Sequence, residues 1–288
     1  MRRTVALGTS LESLVTKYQR PDALGMDPLS IPLSYRDPWD RECAAWVAAH
    51  LAYGRVAPML KAIQRALAPL ENAPATWLRS RSLGEARESL EAALAGWVWR
   101  FHTHQDLVEW LLAWKRLDEA SSHQGLESSL LPIRGESADA ALSRLVQSLR
   151  RELPPSRGTR FSLPDPLEGA ACKRWRMFLR WMVRPEWPDL GQWQRYPKHA
   201  LVIPLDTHVS RIARMIGLTS RQVPDGRMAL EITEALRALD PKDPLRFDFP
   251  LSHLGILGDC PGVRRLPGCA PCPLVGICRA GVTKRKTP

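Results

Sequence analysis

Along most of the chain, apolar residues recur at intervals of three and four, the spacing that gives a helix one buried stripe. Residues 41–52, Arg-Glu-Cys-Ala-Ala-Trp-Val-Ala-Ala-His-Leu-Ala, are apolar nearly all round, which predicts a helix enclosed by others. Asp37 or Asp40 can cap its start, Pro38 suits its first turn and Gly54 ends it. The next helix opens at Pro58, with Met59, Ile63, Leu67 and Leu70 on one face. Further helices are expected at 83–97, 105–117, 137–152, 172–184, 206–216, 227–239 and 245–257. Alternating β-branched runs are absent, so the expected fold class is all-α. Two stretches read as loops: 120–136, rich in Ser and containing Pro132 and Gly135, and 153–169, with Pro154, Pro155, Gly158, Pro164, Pro166 and Gly169.

At 288 residues, 44% of them hydrophobic, the chain can bury a sizeable core in one large or two ordinary domains. Its 41 Lys and Arg outnumber 30 Asp and Glu, giving a net charge of +11 and a pI near 9.8. So basic a balance points to a polyanion, nucleic acid first, with charge kept for solubility as the plain alternative. The 11 Trp can fill a core or stack on bases. No run of ~18 apolar residues is present, which excludes a membrane-spanning helix. The stretch after Arg2 and Arg3 is broken by Gly8, Thr9, Ser10 and Glu12, too early for a secretion signal. A cytoplasmic, nucleoid-associated protein is expected.

Cysteine usage sharpens that picture. Cys260, Cys269, Cys272 and Cys278 are separated by eight, two and five residues, in a Pro- and Gly-rich stretch too short to pack alone. Cys43 and Cys172 stand apart, an arrangement that favours a reducing compartment and a metal over a disulfide framework. An iron–sulfur cluster takes four thiolates of this kind, whereas zinc more often takes two separated C-x2-C pairs, of which only one is present. A [4Fe–4S] cluster is the first reading, zinc the second, and a loop without metal or with disulfides the third.

Two further segments can carry chemistry. Leu167-Glu-Gly-Ala-Ala-Cys-Lys173 is a glycine-containing loop opening a helix whose Trp175, Phe178, Leu179 and Met182 form an apolar stripe. Arg176, Arg180 and Arg184 follow one another four residues apart as a basic stripe on the same helix. Lys173 in the first turn opposes the helix macrodipole, a setting suited to an amine nucleophile, and a helix start can also bind phosphate. Asp206 is placed to cap a helix whose Val209, Ile212, Ala213 and Ile216 face inward and which Gly217 ends. Taken singly, Lys173 is a solvated lysine, Asp206 a plain cap, and His208 a structural or phosphate contact rather than a base.

In this order (glycine loop, Lys173, Leu205-Asp206-Thr207-His208, four-cysteine loop) the segments resemble the helix-hairpin-helix DNA glycosylase superfamily. Leu167 to Lys173 looks like its Leu-Pro-Gly-Val-Gly-x-Lys hairpin and Leu205 to His208 like its Val-Asp-Thr-His. The resemblance implies a catalytic lysine at Lys173 and a catalytic aspartate at Asp206. Cys260 to Cys278 is similar to the endonuclease III cluster loop, whose first gap is two residues shorter. Helix 41–52 with Tyr53-Gly54-Arg55 resembles the early helix whose end fills the gap left by a flipped base. The run from Cys172 to Arg184 with Ile203-Pro-Leu-Asp-Thr-His208 looks most like an uncharacterised bacterial family placed in that superfamily. Ala171 stands where a second hairpin glycine is expected, and Lys173 and Asp206 are 33 positions apart, a longer connection resembling archaeal 8-oxoguanine glycosylases.

The resemblance implies two helical lobes, 37–185 with the hairpin and 1–36 plus 186–288 with the cluster loop at 260–278. It implies a base-excision DNA glycosylase with abasic-site lyase activity, acting as a monomer on damaged double-stranded DNA, with no membrane. DNA contacts are expected from Tyr53, Arg55, Gly169, Arg176, Arg180, His208, Arg264, Arg265 and Arg279, and [4Fe–4S] ligands from Cys260, Cys269, Cys272 and Cys278. The rivals are a non-catalytic DNA-binding protein on the same fold and a zinc-bearing RNA-processing factor. Purified protein is expected to be yellow-brown and to contain iron, and Cys43→Ser or Cys172→Ser should leave its metal content unchanged. Colourless protein with stoichiometric zinc would exclude the cluster.

Overall fold

Asp37 starts the Ala-rich helix by accepting hydrogen bonds from the amides of Trp39 and Asp40 (2.8 and 3.0 Å), with Pro38 in the first turn where its missing N–H goes unfelt. The computed structural model describes residues 2–262 and 268–280, of which 60% are helix, 3-10 turns included, and 1% strand. In chain order the helices begin with α1 (Arg2–Tyr18), α2 (Pro38–Leu51), α3 (Val56–Leu67), α4 (Pro74–Arg79) and α5 (Leu83–Ala93). A two-residue hairpin follows, β1 (Val98–Trp99) paired antiparallel with β2 (His102–Thr103). Then come α6 (His104–Ala120), α7 (Glu127–Leu130), α8 (Ala138–Glu152), α9 (Arg157–Ser162) and α10 (Lys173–Val183). The series ends with α11 (Thr207–Ile216), α12 (Gly226–Arg237) and α13 (Asp248–Ile256).

Two apolar cores organise these elements. The first surrounds α2, whose Cys43, Ala44, Ala45, Trp46, Val47, Ala48 and Ala49 are all fully buried. Small side chains let α10 approach α2 closely, so that Trp175 and Phe178 meet Trp46 edge-on. Trp110 of α6 stacks on Trp46 with centroids 4.3 Å apart, and the Trp46 indole donates to the Trp110 carbonyl. None of the 11 Trp is exposed; they fill and flank the core. The second core gathers Leu11, Leu14 and Tyr18 of α1 with Val209, Ile212, Met228, Ile232, Leu251 and Leu254 of the last three helices. Leu274, inside the four-cysteine stretch, is buried there too.

The first core takes in Leu29 near its start and runs on through Trp193, Tyr196 and Leu201, and the second resumes at Ile203. The segment after residue 185, expected in the second lobe, therefore packs largely with the first, as does the 3-10 turn Pro28–Ser30. Sequence alone also missed α1, although Leu11, Leu14 and Tyr18 follow one another at helical spacing; polar Thr9 and Glu12 simply face solvent. The presumed loops hold α7 and α9.

A buried carboxylate explains why the first of those stretches is ordered. Glu42 on α2 accepts from the Leu126 amide (3.1 Å) and the Trp193 indole (2.7 Å), pinning two distant segments to the central helix. Burial pushes its carboxyl up to about 7, against hydrogen bonds that work the other way. The fold thus favours the protonated acid: its stabilising effect is full below the ordinary carboxyl value of 4.5 and is lost as pH rises through about 7. Glu42→Gln keeps an acceptor without the charge. Denaturant unfolding between pH 5 and 8 should show the variant gaining on the native protein as pH rises, by roughly 1–3 kcal/mol at pH 8.

Candidate active site

The hairpin before α10 is built on Asp165. This buried carboxylate accepts from the Leu167 amide (2.8 Å), the Ser143 hydroxyl (2.8 Å) and the Gln147 amide (2.7 Å), which fixes the turn against α8. Burial alone would raise its pKa, but those hydrogen bonds outweigh it and hold the group below the usual carboxylate range. Gly169 then adopts the left-handed conformation with φ +86°, which glycine takes without strain. Ala171 keeps an ordinary φ, so no glycine is needed there. The left-handed residue before the helix is instead Cys172, at φ +50°, whose thiol is buried against the Pro164 carbonyl. The Gly169 carbonyl accepts from the Gly226 amide (2.9 Å) at the start of α12, so the hairpin spans from the first core to the second. A Cβ at Gly226 would stand 2.9 Å from the Ala170 carbonyl oxygen, which leaves glycine as the residue that fits.

Lys173 is the first residue of α10, and Asp206 caps α11 by accepting from the Val209 amide (2.7 Å). Although 33 positions apart in sequence, Lys173 Nζ and Asp206 Oδ2 lie 3.8 Å from each other, the lysine about one-third exposed and the aspartate 14% exposed. Both line a cavity of about 550 Å³ between the two cores. Tyr53, Met59, Met177 and Trp181 contribute its wall on one side, and Leu205, His208, Ser252 and Ile256 on the other. Asp27, Arg180 and Asp248 add charge. A cation and a carboxylate in reach of each other, partly shielded from water, can hold an amine and pass its proton.

The other expected site residues divide sharply. Tyr53 lines the cavity, but its hydroxyl is bound to the Trp99 carbonyl (2.9 Å) and His102 Nδ1 (2.5 Å). Arg55 is exposed at the cap of α3, and Gly169 is exposed at the hairpin. His208 lies against α13, where any side chain in place of Gly255 would strike its ring. Arg279 is exposed, its amide bound to the Met215 carbonyl (2.7 Å). Arg264 and Arg265 lie outside the described residues.

Arg176 and Arg180 correct the expectation of an outward basic stripe: both are buried and taken up by carboxylates. Arg176 meets Asp139 (3.2 Å), and Arg180 meets Asp189 (3.0 Å) and Asp248. Arg184 pairs with Asp243 (2.8 Å) and Asp189. Guanidinium groups so enclosed cannot bind backbone phosphates. Apart from Asp189, which follows α10 closely, the partners lie 37 to 68 positions away, which is why spacing along α10 alone suggested a solvated face. Exposed arginines near the site are instead Arg55, next to the cavity-lining Gly54, Arg100, whose side chain lies over Gly54, and Arg227, next to the Gly226 that binds the hairpin. Asp248 and Trp181, also in the cavity wall, carried no signal beyond membership of a helix.

Cys260 and Cys272 pack on the second core, and the Cys272 amide donates to the Cys269 carbonyl (3.1 Å). Burial raises the Cys272 thiol above its ordinary value, and Cys260 and Cys278 are near enough to add to the rise. Among the described residues, however, no three His, Cys, Asp or Glu side chains gather into a group able to hold a metal, so the expected four-thiolate arrangement is not assembled here. No helix among the described residues is long and apolar enough to cross a membrane.

No curated protein and no solved structure matches the chain. A family model does match, over residues 27–257, a span that holds the hairpin, Lys173, Asp206 and the whole cavity wall except Met26 but stops short of the four cysteines. The chain thus belongs to the family described as protein of unknown function (DUF2400).

Proposed function

We propose that this protein is a base-excision DNA glycosylase with abasic-site lyase activity. The observation that carries the reading is the approach of Lys173 and Asp206 to 3.8 Å inside a cavity walled by both cores. A nucleotide turned out of the duplex would enter that cavity, and unstacking costs least at a damaged or mispaired base. The Lys173 amine attacks C1′, the bond from C1′ to the base breaks with its electron pair leaving on the base, and Asp206 carries the proton from the amine toward the departing group. The C1′–O4′ bond then breaks, O4′ taking a proton as the lysine nitrogen forms a Schiff base to C1′; loss of the C2′ proton to solvent and departure of the 3′ phosphate leave a C2′–C3′ double bond.

Exposed Arg55, Arg100 and Arg227, with the hairpin amides, are the groups that would hold the DNA backbone; such contacts position without reading sequence. The net charge of +11 supports a nucleic-acid partner. For the cysteine loop, four thiolates on one short stretch are the donor chemistry of a [4Fe–4S] centre. Cys260, Cys269, Cys272 and Cys278 would hold it, and its contribution would be to cross-link the loop against the second core. No reaction step runs through it.

Borohydride should trap a covalent complex between the protein and a duplex bearing an abasic site or lesion, with the adduct mapped by peptide mass to Lys173. Lys173→Gln should abolish the adduct and leave duplex binding within about twofold, since one charge among 41 basic residues is lost. Asp206→Asn should slow base release by roughly a hundredfold or more while costing under about 1 kcal/mol of stability, because asparagine still caps α11. Undiminished trapping in Lys173→Gln, or normal rates in Asp206→Asn, would sink the assignment. If no lesion in a broad panel is cut and no adduct forms, the protein is a DNA binder without this chemistry.

A further inference from the structure

Two residues of the cavity wall each hold a buried polar atom that has no partner in the protein. Asp248, at the start of α13, is 2% exposed; Arg180 takes its Oδ2 and its Oδ1 is bound by nothing. Trp181, on α10, is 1% exposed and its indole Nε1–H donates to nothing. Of the described residues lining the cavity, these two alone hold a buried side-chain nitrogen or oxygen without a partner. A buried acceptor and a buried donor left unsatisfied are each costly, and the cost is recovered when a ligand supplies the complement.

Their positions are also fixed before any ligand arrives. Arg180 is clamped between Asp189 (3.0 Å) and Asp248, so the carboxylate cannot swing to satisfy its second oxygen elsewhere. Trp181 is enclosed by the first core. A cavity of about 550 Å³ whose wall includes a held acceptor and a held donor, both unpartnered, has room for a base and the chemical complement of a heteroaromatic edge.

We infer that Asp248 and Trp181 select the base: the carboxylate accepts from an exocyclic amine and the indole N–H donates to a ring nitrogen, so the cavity takes nucleobases of the adenine or cytosine type and rejects their deaminated counterparts. This inference rests on the glycosylase reading for its biological setting, but its chemistry concerns only the base. A deaminated base places a carbonyl where the amine was, setting two acceptors face to face. Discrimination by such edge contacts amounts to about tenfold to a hundredfold per pair.

Titration calorimetry of the full chain with free adenine, hypoxanthine, cytosine and uracil tests it. Adenine or cytosine should bind about ten- to a hundredfold more tightly than its deaminated partner. Asp248→Asn retains an oxygen for Arg180 and sets an amide donor in place of the free acceptor, so the preference should reverse. Trp181→Phe should weaken amino bases about tenfold without reversal. Native protein that binds the members of each pair equally, or prefers the carbonyl base, overturns the inference without recourse to any variant. Lesion cleavage and borohydride trapping with no discrimination among bases would overturn this inference and leave the glycosylase reading. Discrimination without trapping would do the opposite, and the absence of both would remove both.

Discussion

The arrangement on which the cavity depends is the run of buried ion pairs along α10. Arg176, Arg180 and Arg184 emerge at successive helical turns, and each is met by a carboxylate from elsewhere in the chain. Asp189 receives both Arg180 and Arg184, so the segment after α10 folds back along it. Asp248 belongs to α13 of the second core. The link between Arg180 and Asp248 is therefore a fastening between cores as well as a charge pair. Taking two such groups from water is expensive, and removing one partner typically costs roughly 3–5 kcal/mol because the other is left buried alone. Apolar packing holds each core together, and this polar seam holds their relative placement, on which the separation of Lys173 from Asp206 rests.

Much of the helical pattern was legible because it is local. The α2 segment announced itself by being apolar on every side, and Asp37, Pro38 and Gly217 marked helix ends by chemistry that acts within a few residues. Lys173 and Asp206 stood out by resemblance alone; the structure shows that they lie together, and the hairpin's anchoring on Asp165 gives the setting of Lys173 a physical cause. What could not be read was non-local. Nothing in the spacing of the α10 arginines says whether carboxylates wait opposite them, and a basic stripe on water looks the same as one buried against Asp139, Asp189 and Asp243. For the same reason Glu42 and the ordered stretch it pins escaped notice: the partners lie 84 and 151 positions away.

The hairpin illustrates a motif meeting its geometric demand by another route. The alanine at 171 looked like a defect in a pattern that expects glycine, yet the backbone turns left-handed one residue later, at Cys172. A left-handed cysteine is unfavourable in isolation. Here its side chain is buried and its thiol donates to the Pro164 carbonyl. The consequence for comparing sequences is that glycine content alone is a poor guide to whether such a hairpin is formed.

The first helix has a bearing on how the molecule is made. Tyr18 and Lys17 at its end both bind Asp259, some 240 positions further on, and beyond α1 itself the buried members of the core that holds Leu11 and Leu14 come, among the described residues, from 203–274. A ribosome releases α1 long before any of those partners exists. The first core, drawn almost wholly from residues 29–201, can close during synthesis, while α1 must wait with its apolar side uncovered. The second core is thus the product of a late, long-range closure, of the kind that loop entropy makes slow. The order of assembly runs from the middle of the chain outward, and the cavity between the cores comes into being last.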